Sequence, residues 1–410
     1  MPHFVVLADD FTGATDAGIQ LAENGISVRV MTGAIGRHLQ ECNCQAAVLD
    51  LETRHMSAKD AYGAVLSAAR LAQSAGASIL YKKTDSTLRG NIGSELKAAL
   101  DAWREPRLLF SPGYPAIGRI VRDMVCYVNG VPVHKSAFGQ DQLNPVVDSR
   151  IEKIIAQQAP LTVGKVESLP QVVVPDTVTE EDLDKAVKMG LSMGIRIFAG
   201  SSGMLPYLAR CAMTADSNHK EYPLPGAPLI ILGSSLHPAS LEQIARAKEA
   251  GAGVFSLNLE QKLSECPQML PETAEMLREM RACISQKNMV ILSSVTSREM
   301  LEKHNSLLAD RKISPESTAK RISALLAWMA CQLMGYVPNA VLAVFGGDTA
   351  AQVMREFRVE VTKPVCQLGE GIPYCTFTSH QTQYGLITKA GGFGPPDVIM
   401  KMRAFIDGAN

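Results

Sequence analysis

Hydrophobic residues in this chain gather into short, nearly unbroken runs. Phe4–Ala8, Ser27–Met31, Ala46–Leu51, Ser78–Lys82 and Arg107–Ser111 each read as a β-strand, and helical patterns such as Ala14–Glu23 and Ala58–Gln73 separate them. Strands that are apolar on both faces, with helices between them, predict a parallel sheet covered on both sides. Asn24-Gly25 marks the end of the first helix, and Ser57 the N-cap of the next. The stretch CYVNGVPVHKS breaks the rhythm, because Asn129-Gly130 between two β-rich runs predicts a hairpin, an excursion that could serve as a flap or a subunit contact in a homodimer. The alternation resumes with QVVVPDTVTEEDLDKAV, where Thr179 and Asp182 fit a capping box, and with IRIFAGSSG at 195–203.

Residues 214–228, TADSNHKEYPLPGAP, are polar and then proline-rich, which predicts a linker. A second series follows: LIILGSS at 229–235, VFSLNLE at 254–260, NMVILSSVT at 288–296 and VLAVFGGDTA at 341–350. The expected fold is therefore α/β, two doubly wound domains with mostly parallel sheets and a cleft between them, spanning 1–222 and 223–410. The length of 410 residues suits two domains of ordinary size, and 46% hydrophobic residues supply two packed cores.

Charge narrows the function. Lys plus Arg number 40 against 41 Asp plus Glu, a net charge of −1, without the basic excess expected of a nucleic-acid partner. The nine cysteines are scattered, and Cys42 and Cys44 in ECNCQ lack the spacing of a zinc site, so free thiols in a cytoplasmic protein are expected. The first residues show no export pattern, and no segment reaches 18 uninterrupted apolar residues, so no membrane partner is expected.

In open parallel sheets ligands sit beyond the carboxyl ends of the strands, and the polar clusters fall there. The first strand delivers Asp9 and Asp10; AVLDLETRH delivers Glu52, Thr53 and Arg54; ILYKK delivers Lys83, Thr84, Asp85 and Ser86, with Arg89 and Asn91 close behind. Each taken alone has a structural explanation: Asp10 or Thr12 as a helix cap, Arg54 as a surface ion pair, the lysines as a solvated strand end. Together they suit a small polyhydroxy acid, cations taking its carboxylate and aspartates its hydroxyls. In the second half, strand 341–345 leads into Gly346, Gly347, Asp348 and Thr349, where the amides of Asp348, Thr349 and Ala350 would form an anion site, unless this is an ordinary turn capped by Asp348. Gly391, Gly392 and Gly394 form a second glycine cluster, and GEGIP at 369–373 is either a third such loop or a plain turn. No P-loop or GxGxxG motif follows a strand.

LADDFTGATDAG, YKKTDSTLRGN, FSPGYPAIGR, VNGVPV, VFGGDTA and LITKAGGFG, in this order, resemble the four-carbon acid sugar kinase family. The resemblance implies an N-terminal sugar-acid domain and a C-terminal ATP domain. It implies substrate at Asp9 and Asp10, Arg54, Lys82, Lys83, Thr84 and Asp85. It implies ATP at Ser256, Gly346, Gly347, Asp348, Thr349 and Gly391. The YKKTDSTLRGN segment is similar to the threonate and erythronate branch. The expected activity is ATP- and Mg²⁺-dependent phosphorylation of the 4-hydroxyl of D-threonate, with D-erythronate as the alternative and a non-catalytic cytosolic sugar-acid sensor as the rival class. The proton acceptor stays open among Asp10, Asp85 and Asp348.

Overall fold

A computed structural model describes the chain except for residues 1, 34, 142–143, 216–221, 311–312, 390 and 409–410, and except for the side chains of 304, 305, 307, 309, 310 and 315. The chain divides into two compact units, Met1–His219 and Lys220–Asn410. Residues 216–221 of the expected linker lie outside the described part.

The first unit is built on strands β1 (Phe4–Ala8), β2 (Val28–Met31), β3 (Ala46–Asp50), β4 (Ile79–Lys83) and β5 (Leu108–Ser111). Then come β6 (Arg119–Arg122), β7 (Val125–Val128), β8 (Val131–Pro132), β9 (Val163–Gly164), β10 (Val172–Val173) and β11 (Ile197–Gly200). Eight of them form a sheet in the order β2-β3-β1-β4-β11-β5-β10-β9, every pairing parallel. Helices cover both faces of such a sheet, so β1, β3, β5 and β11 are buried along their whole length. The strands run where the hydrophobic runs predict them, with ends shifted by a residue or two. One shift matters: β4 extends to Lys83, which places both lysines inside the strand.

The expected hairpin exists. β7 and β8 pair Val128 with Val131 around Asn129 (φ 50°) and Gly130 (φ 79°), the left-handed pair that a type I′ turn demands. With β6 they form a separate antiparallel sheet, and Asn129 N–H donates to Gly118 O at 2.7 Å to lock its root. The capping box is present as well, Thr179 accepting from Asp182 N–H and Asp182 from Thr179 N–H.

The second unit holds β12 (Leu229–Gly233), β13 (Gly253–Ser256), β14 (Met289–Ser293), β15 (Val341–Phe345), β16 (Val361–Gln367), β17 (Pro373–Ser379) and β18 (Thr382–Lys389). Their order is β13-β14-β12-β15-β18-β17-β16, parallel from β13 to β18 and antiparallel from there on. The antiparallel strands β16 and β17 escape a pattern reading because Pro364 and the register shift before Cys366 break the alternation. GEGIP proves to be the turn between them, closed by Leu368 N–H to Ile372 O at 3.0 Å. The helix Val398–Ile406 buries Val398, Ile399 and Met402 against Ile231, Phe345 and Ile387.

One expectation is corrected. Cys42 and Cys44 are not free thiols: they form a disulfide, with Cα atoms 5.5 Å apart, where the chain leaves the helix Ile35–Glu41 and bends into β3. The other seven cysteines are in no disulfide. Among the described residues no helix is long and apolar enough to cross a membrane.

Gly200 ends β11 at φ 145°, and a Cβ there would lie 1.8 Å from Ser111 O. Gly194 also has positive φ, 71°, yet nothing lies within 4 Å of its Cβ position. Gly200→Ala is therefore expected to cost at least ~3 kcal/mol in urea unfolding, and Gly194→Ala about 1 kcal/mol. Equal costs would show that the backbone yields at Gly200.

Candidate active site

Register sets the first cluster. Ala8, the last residue of β1, lies opposite Asp50 of β3 on one side and Lys83 of β4 on the other, so three strands end level. The residues that follow therefore leave the sheet together. Asp10 caps the helix Phe11–Glu23 with Oδ1, which accepts from Gly13 N–H at 2.8 Å, and turns Oδ2 to the Arg54 guanidinium at 2.5 Å. Arg54 Nε donates to Asp9 Oδ2 at 2.8 Å, and Nη2 stands 3.9 Å from Asp85 Oδ1. The backbone joins in, Arg54 N–H donating to Asp9 O at 3.1 Å. Two glycines make this closeness possible. A Cβ at Gly13 would sit 2.5 Å from Asp10 Oδ1 and 2.9 Å from Lys83 Nζ; one at Gly90 would sit 3.3 Å from Arg54 Cγ.

Successive residues of β4 face opposite sides of the sheet, so the two lysines do different things. Lys82 is fully buried, with Nζ 2.9 Å from Glu95 Oε2 in the helix Ile92–Trp103 and 2.7 Å from Lys83 O. Lys83 points to the Gly13 side and donates to Thr84 O at 3.0 Å. Asp85 is clamped by Arg89 (Nη2 to Oδ1, 2.9 Å; Nε to Oδ2, 3.0 Å) and by the Thr87 hydroxyl.

Asp9, Asp10, Arg54, Lys82, Lys83, Thr84 and Asp85, all expected from the sequence, come together at one edge. Glu95, whose side chain accepts from Thr53 and pairs with Lys82, and Asp50 were not among the expected residues. Glu95 carries no local signal, since it reads as an ordinary first-turn acid of a helix; only the burial of Lys82 demands a counter-ion there.

Burial works to raise the Asp9 carboxyl, but Arg54, Lys82 and Lys83 outweigh it and hold it below the ordinary value. For Asp85 burial again opposes, and Arg89 with Arg54 carries it well below. Burial raises Glu95 despite Lys82. Two buried oxygens in this cluster, Asp9 Oδ1 and Thr84 Oγ1, have no hydrogen-bond partner among the described residues. Buried polar atoms left unsatisfied in this way call for a partner from outside the chain, a water or a ligand's hydroxyl.

In the second unit the chain leaves β15 through Gly346 (φ 131°) into the helix Gly347–Glu356, which no side chain caps. Asp348 is exposed and does not act as a cap; Thr349 is buried and shares a hydrogen bond with Ser323 at 2.9 Å. The Ala350 amide, expected to face an anion, is instead taken by Gly346 O at 3.1 Å, so only the amides at 347–349 lack an acceptor within the helix. The Gly391 loop packs beside it: a Cβ at Gly391 would lie 2.4 Å from Ser235 Oγ, and one at Gly346 would lie 2.6 Å from Ser234 Oγ. Ser234 and Ser235, which the sequence reading passed over, follow β12, and β12 and β15 are the neighbours at which the strand order reverses. Buried Lys389 holds the loop from beneath, with Nζ 3.2 Å from Ser240 Oγ, Gly391 O and Phe393 O, and burial pushes its pKa down to about 7. Ser256 stands apart, at the end of edge strand β13, with β14 and β12 between it and β15, roughly 14 Å away at ordinary strand spacing.

Residues 4–208 match the family model described as a sugar-binding N-terminal domain, and residues 229–399 match a nucleotide-binding C-terminal domain. This chain belongs to the four-carbon acid sugar kinase family. Among its relatives are a D-threonate kinase of Salmonella typhimurium, 27% identical over 98% of both chains, and a D-erythronate kinase of Heliobacterium modesticaldum, 24% identical over 96% of this chain and 95% of the other. Solved structures from Salmonella typhimurium (TM-score 0.79, 98% of both chains) and Haemophilus influenzae (TM-score 0.73, 98% and 99%) share the fold at 22% identity each. The first strand-end cluster lies within the matched N-terminal domain and the second within the matched C-terminal domain.

Asp50 sits below this cluster. Burial, then Glu52 and Asp10, raise its carboxyl well above the ordinary 3.8. Between that value and its higher folded pKa the folded chain holds a proton that the unfolded chain has lost, so stability falls as pH rises through this window, and the full penalty is felt above it. Asp50→Asn is therefore expected to raise Tm in neutral to alkaline buffer, with the gain gone by pH 4. A Tm lowered at every pH would mean that Asp50 serves as an ionised partner.

Proposed function

We propose that this kinase transfers the γ-phosphoryl group of ATP to the terminal (4-) hydroxyl of a four-carbon sugar acid, D-threonate first and D-erythronate second. The observation that carries the reading is the cluster of Asp9, Asp10, Arg54, Lys83, Thr84 and Asp85 at one level strand edge, with Asp9 Oδ1 and Thr84 Oγ1 buried and unpartnered among the described residues. Full-length similarity to proteins named D-threonate kinase supports the choice of acid.

Phosphoryl transfer asks the protein for alignment and charge neutralisation more than for covalent chemistry. The first unit would bind the sugar acid, its hydroxyls meeting Asp9 and Thr84. Of the carboxylates at hand, Asp10 is committed to a helix cap and to Arg54, and Asp85 to Arg89 and Thr87, so Asp9 Oδ1 is the oxygen best placed to accept the hydroxyl proton. The second unit would hold ATP phosphates on the 347–349 amides and against the Gly391 loop. Mg²⁺ usually rests on one or two carboxylates plus substrate phosphates, and the exposed carboxylate of Asp348 beside that turn fits the role; bound there, the ion would neutralise phosphate charge.

The test is ADP release with Mg²⁺ and D-threonate, D-erythronate or their L-isomers. Turnover of one acid supports the reading; none turning over while an acid still shifts Tm would favour the sensor. Asp9→Asn is expected to lower kcat at least ~100-fold with ATP affinity within twofold of the parent. Full activity in that variant would remove Asp9 as the proton acceptor.

A further inference from the structure

An acid substrate needs a cation that is not already spent. Five cations surround the first cluster, and three are paired with carboxylates. Arg54 pairs with Asp9 and Asp10, Lys82 with Glu95, and Arg89 with Asp85 and, at 3.1 Å, with Asp141. Lys83 bonds to the Thr84 carbonyl and lends its charge to Asp9. Arg119, the first residue of β6, is different. Like Lys83 it makes no ion pair among the described residues, but its buried Nε also has no partner, while Nη1 donates to Ile117 O at 2.5 Å.

Its position is fixed by the root of the flap. Arg119 exchanges both backbone hydrogen bonds with Tyr114 (2.7 and 3.1 Å), just beyond the end of β5, and Gly118 before it takes φ 71° where a Cβ would strike Asn129 Oδ1. Its guanidinium lies over the Phe138 ring at 5.8 Å, and Arg89, the partner of Asp85, lies over the same ring at 5.3 Å. Two guanidinium groups thus share one ring beside the substrate cluster. Burial is the main influence disfavouring the charged form of Arg119; Asp85 and Cys126 oppose it, and the like charge of Arg89 adds to it. An anion beside the pair relieves both penalties and supplies the missing acceptor for Nε.

We propose that Arg119 takes the carboxylate of the sugar acid, so that discrimination between an acid and an uncharged polyol is set by the β6–β8 flap rather than by Arg54. The inference rests on the sugar-acid reading of the first unit. Arg54 then serves to hold the aspartates in place, and Arg119 is a specificity residue in contact with substrate.

The experiment compares Arg119→Ala, Arg119→Gln and Arg119→Lys with the parent enzyme, using the preferred four-carbon acid as substrate and its primary amide as a competitive inhibitor. Losing a charge-assisted contact is expected to raise KM for the acid about 100-fold in the Ala and Gln variants, with KM for ATP and the amide inhibition constant within twofold. The Lys variant is expected to recover part of the loss. Weakened binding of acid and amide by equal factors assigns Arg119 a structural role and overturns the proposal, as does an unchanged KM for the acid. A parent enzyme that turns over none of the four acids removes the kinase reading and this inference with it. Should the Ala variant fail to fold, the Gln variant carries the same acid-to-amide comparison.

Discussion

A buried guanidinium with two carboxylates on it is the interaction around which the first unit is arranged. Arg54 reaches Asp9 and Asp10 from the end of a neighbouring strand, with side chains almost withdrawn from water. Each charge alone would be costly there; together, with hydrogen bonds on both sides, they can persist. The pairing requires β1 and β3 in one register, glycine at 13 and 90 so that nothing stands between the groups, and a helix start at Phe11 so that one oxygen of Asp10 has an amide to accept. Removing either partner would leave an uncompensated charge in the sheet edge.

The same reasoning separates residues of similar appearance. Lys82 and Lys83 are adjacent in sequence and identical in type, yet strand geometry sends them to opposite faces. One meets Glu95 in a dry core and holds the sheet to a helix while adding its charge to Asp9; the other points to the Gly13 side and donates to the Thr84 carbonyl. Such a division of labour cannot be assigned from composition, because it depends on which face the strand end presents and what packs there. In the second unit the comparable question is where free amides point, and there the absence of a side-chain cap at Gly346 keeps the helix start open to an anion.

Much of this was legible in the sequence for a physical reason. Apolar runs with helices between them have few other solutions than a parallel sheet, Asn129-Gly130 demands positive φ, and Thr179 with Asp182 satisfies its own amides. Polar residues just past strand ends then share an edge by construction. What stayed hidden depends on distance or on broken patterns. Glu95 is far from Lys82 along the chain, Ser234 gains meaning only once β12 and β15 are neighbours, β16 and β17 are masked by Pro364, and the Cys42–Cys44 bond follows from a bend that no spacing rule anticipates. Arg119 ends the FSPGYPAIGR motif, and its significance emerges only from counting which cations are spoken for.

The eight-stranded sheet also has a kinetic consequence. Because every pairing in it is parallel, no two neighbours can be closed by a tight turn, and each contact must wait for a crossover to be threaded. Such a topology is rich in contacts between residues distant in sequence, so it folds slowly and leaves apolar strands exposed meanwhile. The charged cluster needs β1, β3 and β4 level with one another before any of its pairs can form. Binding competence should therefore return during refolding in a single late step, together with the sheet, and a chaperone that shields those strands would govern how much of the protein ever reaches it.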